Sequence, residues 1–275
     1  MMERKVTYTP CFEDILFALG MINRNLEAMA RQLYDYWFVQ FDFPDENGRP
    51  YKSSGGKMVW NERLKREIPE NWDVITLADI VTVKDGTHDS PKPTEDGMFL
   101  ITSKHLTNNG IDFGNANYIS IEDFEAINRR SKVETGDILF SMIGTIGNKY
   151  HVFEKEIAFA IKNMALIKSS STPEIQYYIW HCLSSIDYLR YEPNALSGSI
   201  QKFLSLDAMR NIPILFNENT CMEFNSNISN MFVAISNNQN QISVLSHQRD
   251  ELLPLLMNGQ VSVMPTAVNC DLSHD

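Results

Sequence analysis

LYDYWFVQFDFPDENG, residues 33–48, sets Tyr34, Tyr36, Trp37, Phe38, Phe41 and Phe43 close together and then stops at Pro44. A plain core segment rarely needs so many aromatic side chains in so little chain. Rings with polar tips are common anchors of protein interfaces. Whether these six face a partner or pack inward depends on the segments to either side.

Upstream, Ile15, Leu19, Ile22, Leu26, Met29, Leu33 and Tyr36 recur at alternating gaps of four and three. That spacing is an a/d seam, with Asn23, Arg24, Asn25, Glu27 and Arg31 on the other faces. It predicts a helix over 12–39, with Glu13 and Asp14 in the first turn, where the helix dipole favours acids. A second seam lies at the far end of the chain. Ile228, Ile235, Ile242, Arg249 and Leu256 are spaced by seven, and Met231, Asn238, Leu245 and Leu252 follow at three. Polar Asn238 and Arg249 interrupt it, as residues that set register do. The predicted helix runs from 219 to 258, with Gly259 beyond its end and Pro254 as a kink. At about 1.5 Å per residue it is roughly 50–60 Å long, more than a compact domain needs. Two such seams at opposite ends predict helices that meet, within one chain or between two. Packing of both on the central domain is the plainer alternative.

Between them the pattern changes. IPENWDVITLADIVTVKDG, MFLITS (98–103), NYISI (117–121), GDILFSMIG (136–144), KYHVF (149–153) and IAFAIKNMALIKS (157–169) read as strands. Turn residues separate them at 108–110, 135–137 and 147–148. PEIQYYIWHCLSSIDYLRYE, opening at Pro173, reads as a helix with proline in its first turn, and IPILF (212–216) as a last strand. The expected organisation is a helix to residue 41, a mobile or extended linker over 42–69, a mixed domain over 70–216, a long helix over 217–260 and a tail over 261–275.

Composition narrows the class. The chain has 275 residues, 43% hydrophobic and 21% charged, which is ordinary globular usage. No apolar run approaches the ~18 residues of a membrane span, and the N-terminal stretch does not read as a secretory signal. A cytoplasmic protein is expected, with Cys11, Cys182, Cys221 and Cys270 as unpaired thiols, since no CxxC or paired spacing occurs. The net charge of −11 argues against nucleic-acid binding by the whole surface but leaves room for a local basic face.

Several stretches in order now carry a resemblance: LEAMARQLYDYWFVQFDFPDENGRPYKSSGGKMVWNERLKREIPENW, KDGTHDSPKP, ITSKHL, GDILFSMIGTIGN, SGSIQKFLSLDAMRNIPI and ISVLSHQRDELLPLLMNGQV. Helix, linker, mixed domain and helix together resemble the specificity subunit of type I restriction–modification systems, from about residue 12 to 263. The resemblance implies a non-catalytic reader: a strand-rich α+β target-recognition domain flanked by two long helices that form an antiparallel coiled coil. It implies double-stranded DNA and methyltransferase subunits as partners, and a motor–nuclease subunit in some complexes. Such subunits usually hold two recognition domains, each reading half of a split site; this chain has one. It resembles a half-subunit that pairs with a second copy or a different half, or else a truncation of a longer parent. Two-fold pairing implies inverted half-sites.

A base reader needs amides, hydroxyls and basic groups on loops. Four loops offer them: Lys84, Thr87, His88, Ser90 and Lys92; Ser103 and Lys104, beside Thr102 and His105; Ser141, Thr145, Asn148 and Lys149, among the glycines 144 and 147; and Ser199, Gln201 and Lys202, beside Ser197 and Gly198. For any one of these a turn or cap role is at least as plausible. Leu26, Leu33, Ile228, Ile235, Ile242, Leu245 and Leu252 are the candidate helix-pairing residues. Tyr34, Trp37, Phe38 and Phe41 are candidates to fix the end of the first helix against its helical partner and a methyltransferase subunit, with packing on the reader domain as the alternative.

No catalytic residue, cofactor or metal is expected. Neither a G-x-G-x-x-G nor an Asn-Pro-Pro-aromatic segment occurs, and Gly55-Gly56-Lys57 is followed by methionine, not by the Ser or Thr of a phosphate loop. Asp85, His88 and Asp89 read better as a solvated turn than as a metal site. Glu154-Lys155-Glu156 reads as a charged turn, not a nuclease motif. The rival reading is a coiled-coil assembly module whose central domain binds protein; a metal nuclease is a distant third.

Overall fold

The computed structural model describes residues 9–107 and 110–259. Two of the three residues of the turn expected at 108–110 lie outside these, as do Cys270 and the tail 261–275. The helices are α1 (Thr9–Tyr34), α2 (Ile121–Ser131), α3 (Gln176–Cys182), α4 (Ile186–Ala195) and α5 (Glu218–Met257). The longer strands are β1 (Met58–Asn61), β2 (Arg66–Pro69), β3 (Asp73–Thr76), β4 (Val83–Asp85), β5 (Met98–Thr102) and β6 (Asn117–Ile119). They continue with β7 (Ile138–Ser141), β8 (Lys149–His151), β9 (Phe159–Lys162), β10 (Met164–Ile167) and β11 (Pro213–Phe216). The chain divides into two units, one of residues 1–27 with 233–275 and one of residues 28–232.

In the smaller unit the front of α1 and the back of α5 run antiparallel. Asn238 Nδ2 donates to Asn23 Oδ1 at 2.8 Å, and Arg249 Nη1 donates to Glu13 Oε1 at 3.0 Å, so the numbering rises along one helix as it falls along the other. The α1 seam differs from expectation by one residue in half its positions. Leu19 and Leu26 are partly buried as expected, but Leu16 and Asn23 complete the stripe, while Ile15 and Ile22 are 43% and 47% exposed. Apolar counting rejects Asn23. Its amide nonetheless belongs on the inner face because Asn238 satisfies it there. The same shift continues into the larger unit, where Ala30 is buried and Met29 exposed. On α5, Ile235 is buried and Ile242 and Leu245 partly so; Leu252 is exposed and Leu253 takes its place. Pro254 sits inside the last turns of α5, and Gly259 follows at φ +64°.

The larger unit is α+β. One antiparallel sheet has the order β8-β7-β10-β4. A second, β9-β5-β6, pairs β9 and β5 in parallel and β5 and β6 antiparallel. Strands β3 and β11 pair antiparallel with Pro213 opposite Thr76, so the two ends of the mixed region close on each other. Residues β7 and β10 are buried on both faces, which explains why ILFS and MALI read as continuous apolar runs.

Two local expectations are corrected, and one helix was not expected. IAFAIKNMALIKS is two strands, broken at Asn163, whose φ is +54°. The segment after NYISI is helix α2: Ser120 Oγ accepts from Asp123 N at 3.1 Å, and acids fill the first turn while Arg129 and Arg130 occupy the last. The helical run after Pro173 is two helices, because Ser185 caps a new start by accepting from Tyr188 N.

The opening stretch lies in the core of this unit. Helix α1 passes into a π-helical turn over Asp35–Val39, where Gln40 N donates to Asp35 O at 2.9 Å. Tyr34, Trp37 and Phe38 lie at helical steps of three and four, Phe41 follows beyond the helix at φ +66°, and all four are buried. Phe38 lies 4.8 Å from Tyr178, 5.2 Å from Phe224 and 5.4 Å from Trp72, centroid to centroid. Phe43 stacks on Tyr51. This corrects the expectation that the four rings face a methyltransferase subunit: their surface is already covered within the chain. Residues 42–69 are not an extended connection either. Asp45 and Arg49 close a tight turn, β1 and β2 form a hairpin, and Leu64 and Ile68 are buried. Arg66 clamps the segment, donating to Asp187 Oδ2 at 2.6 Å and to Phe38 O at 3.1 Å, and lying 4.8 Å from the Phe41 ring centroid.

Candidate nucleic-acid interface

Strand ends and short turns deliver four polar loops, and hydrogen bonds link them in series. The first follows β4. Gly86 must be glycine-small here, since an added Cβ would meet Ile161 O at 2.8 Å. Its close approach lets Thr87 N donate to Ile161 O at 3.0 Å and Asn163 N donate to Thr87 O at 3.1 Å. The turn at 162–163 therefore interleaves with the first loop. His88 Nδ1 lies 2.9 Å from Asn163 Oδ1, and Lys162 Nζ donates to Ser90 Oγ.

The second loop, Ser103–His105, meets the same turn, because Ser103 Oγ donates to Asn163 O at 3.2 Å. His105 is buried and accepts at Nδ1 from Thr102 N, closing its own turn. Burial first, then the charge of Lys104, pushes the His105 ring below the ordinary histidine value. The third loop joins the second where Asn148 Nδ2 donates to Leu106 O at 3.0 Å. The fourth joins the third through the bridge between Ile143 and Phe203 and the bond from Leu204 N to Met142 O. Four stretches far apart in sequence thus form one continuous row.

The loop residues divide into those that hold the row and those that face outward. Ser141 is fully buried and donates to Ile143 O; Thr87 is buried and accepts from Asp89 N. Lys149 turns inward, donating to Trp180 O and to Ser184 Oγ, with its ammonium 4.1 Å from the Trp180 ring centroid. Asn148 and Ser103 are engaged as described. These five expected contact residues spend their polar atoms inside the fold, because a loop without regular structure must satisfy its backbone with side chains. Outward remain His88, Ser90, Lys92, Lys104, Thr145, Ser199, Gln201 and Lys202, all exposed, and Lys84, partly exposed. Lys162 and Asn163 were missed by sequence reasoning. The signal was present: a Lys-Asn pair inside an apolar run marks a turn.

His151 on β8 packs against Phe153, Tyr177 and Phe232, and burial lowers it to about 4. Cys182 and Cys221 are buried free thiols, and burial raises Cys182 to about 12. Such thiols are inert. Among the described residues no group of three His, Cys, Asp or Glu side chains is placed to hold a metal ion, and no helix is long and apolar enough to cross a membrane.

A strand-rich α+β domain with its polar loops in one row, in a chain that also carries two long antiparallel helices, is the arrangement of a recognition module. Residues 69–216 match the family described as type I restriction modification DNA specificity domain, over more than half of the chain, and the chain belongs to that family. It is 27% identical over 272 residues to the type I restriction enzyme MjaIX specificity subunit of Methanocaldococcus jannaschii, covering 95% of this chain and 59% of that protein. Its fold resembles the crystal structure of the type I restriction–modification S subunit of M. genitalium, with a TM-score of 0.53 at 16% identity, over 93% of this chain and 59% of that one. The chain therefore spans well under two thirds of the length of either relative.

Proposed function

We propose that this chain is a non-catalytic, sequence-specific DNA-recognition subunit of a type I restriction–modification enzyme, acting in the cytoplasm and reading one half of a bipartite site. Double-stranded DNA lies along the row of four loops. Lys84, Lys92, Lys104 and Lys202 hold phosphates, and Ser90, Thr145, Ser199 and Gln201 supply contacts to sugar, phosphate or base edges. The supporting observation is that linked row: loops drawn from four separated stretches, exposing lysines on a chain whose net charge is −11. Binding by this small basic face alone is weak and salt-sensitive, and tightens when methyltransferase subunits add phosphate contacts of their own.

The long helices dock those methyltransferase subunits and pair this chain with a second copy or a second half-subunit. Ile15, Phe17, Ile22, Val233 and Val244 support this, being exposed apolar side chains on the two-helix unit that one chain does not cover. The test is selection from random DNA duplexes by the full chain with its methyltransferase, together with the mass of that complex. A split site with inverted halves and two copies per complex is the expected result. Absence of any enriched sequence, with the chain still bound to protein partners, would favour the assembly-module reading instead.

A further inference from the structure

We infer that Asn163 is a base-reading residue of the loop row, oriented by an Asp85–His88 relay; this rests on the DNA-reading proposal above. Asn163 sits at the crossing of the first two loops. Its backbone is fixed on both sides, N donating to Thr87 O at 3.1 Å and O accepting from Ser103 Oγ at 3.2 Å. Its left-handed φ of +54° is one that asparagine tolerates better than most side chains.

The side chain is fixed as well. His88 Nε2 lies 2.8 Å from Asp85 Oδ2, and His88 Nδ1 lies 2.9 Å from Asn163 Oδ1. A carboxylate oxygen thus faces one ring nitrogen and the amide oxygen faces the other, so the ring bridges Asp85 and Asn163. Asp85 is buried on β4, with its backbone in the sheet opposite Ala165, so the relay is anchored in the core. One end of the Asn163 amide is thereby occupied. The other, Nδ2, has no protein partner among the described residues, and the residue itself is only partly buried.

A fixed amide with its NH2 group unengaged, in a row of exposed cations, suits an acceptor on a base edge. In the major groove these are a purine N7, guanine O6 or thymine O4. A phosphate contact would not need such fixing, because phosphates are met equally well by flexible lysines. Holding the donor in advance removes the ordering cost at binding and makes it selective for position.

Selection from a random duplex pool by the full chain with its methyltransferase tests this. Asn163→Gly keeps the backbone conformation and removes the amide; it should leave the site intact except for one base pair, where discrimination falls about tenfold or more. Asn163→Asp, of the same shape, exchanges donor for acceptor and should change the base preferred at that pair. His88→Ala, which removes the ring between Asp85 and Asn163, should weaken discrimination at the same pair and no other. Unaltered base preferences in folded Asn163→Gly and Asn163→Asp would overturn the inference, as would a uniform loss of affinity across all sequences. If the wild-type complex selects no sequence, the DNA-reading proposal fails first and this inference with it; if the wild type selects and the variants match it, only this inference fails.

Discussion

Phe38→Ala tests whether the aromatic cluster is core. The ring is 1% exposed and is enclosed by Tyr34, Trp72, Tyr178 and Phe224 at 4.8–5.4 Å. These neighbours come from α1, the approach to β3, α3 and α5, so the cavity cannot close by moving one side chain. Truncation of a buried phenylalanine costs about 3–5 kcal/mol, from lost transfer free energy and the residual cavity. For a domain of 150–250 residues, each kcal/mol lowers Tm by about 2–4 °C, so the transition of the unit over residues 28–232 should fall by roughly 6–20 °C. Near-ultraviolet circular dichroism follows it, since Trp37 and Trp72 report on the same cluster; Trp37 sits 6.5 Å from Phe38. Phe38→Leu should retain most of the stability. The reasoning is refuted if Phe38→Ala melts within about 2 °C of the wild type and instead loses methyltransferase binding, because a ring that matters only to a partner is not core.

Acid should weaken the fold through His151. Burial holds its folded value at about 4, below the ~6.5 of an unfolded histidine, so the unfolded state takes up the proton first as pH falls. Its contribution is complete above about pH 6.5 and is lost towards pH 4, about 3 kcal/mol in all. Urea midpoints measured from pH 7 to 4.5 should fall less steeply in His151→Phe; equal slopes would contradict this. Replacing Lys92, Lys104 and Lys202 together by alanine should reduce the slope of log affinity against log salt by about 3, with base preferences kept. An unchanged slope in titrations with DNA would remove these lysines from the interface. In the two-helix unit, Asn23→Leu alone should cost about 1–3 kcal/mol by stranding Asn238, whereas Asn23→Leu with Asn238→Leu should restore stability and loosen register. Disulfide trapping between cysteines placed at 13 and 249 reads register; identical behaviour of single and double variants would mean the amides do not interact.

Much of the fold was legible from local rules. Both long helices follow from seams at steps of three and four. The buried strands β7 and β10 follow from unbroken apolar runs, and the row of polar loops from glycine and asparagine turns. What failed did so for identifiable reasons. Asn23 was rejected from the seam because its partner is Asn238, 215 positions away. Residues 42–69 carry the composition of a mobile linker, yet Phe43, Leu64 and Ile68 draw them inward. Tyr34, Trp37, Phe38 and Phe41 look locally like a partner surface because the rings that cover them, Trp72, Tyr178 and Phe224, lie far along the chain.

The same division holds at the candidate interface. Residue types in turns mark which segments form polar loops, since backbone conformation is a short-range property of glycine, asparagine and proline. They could not tell Lys149, folded in over Trp180, from Lys92 or Lys104, exposed to water. Nor could they find Asn163 between His88 and Ser103. Those assignments depend on pairings such as β10 with β4 and β7, which bring distant stretches within a hydrogen bond of one another. Periodicity and turn chemistry act over a few residues and are written in the sequence; which polar atoms remain unspent is settled only when long-range packing has used the others.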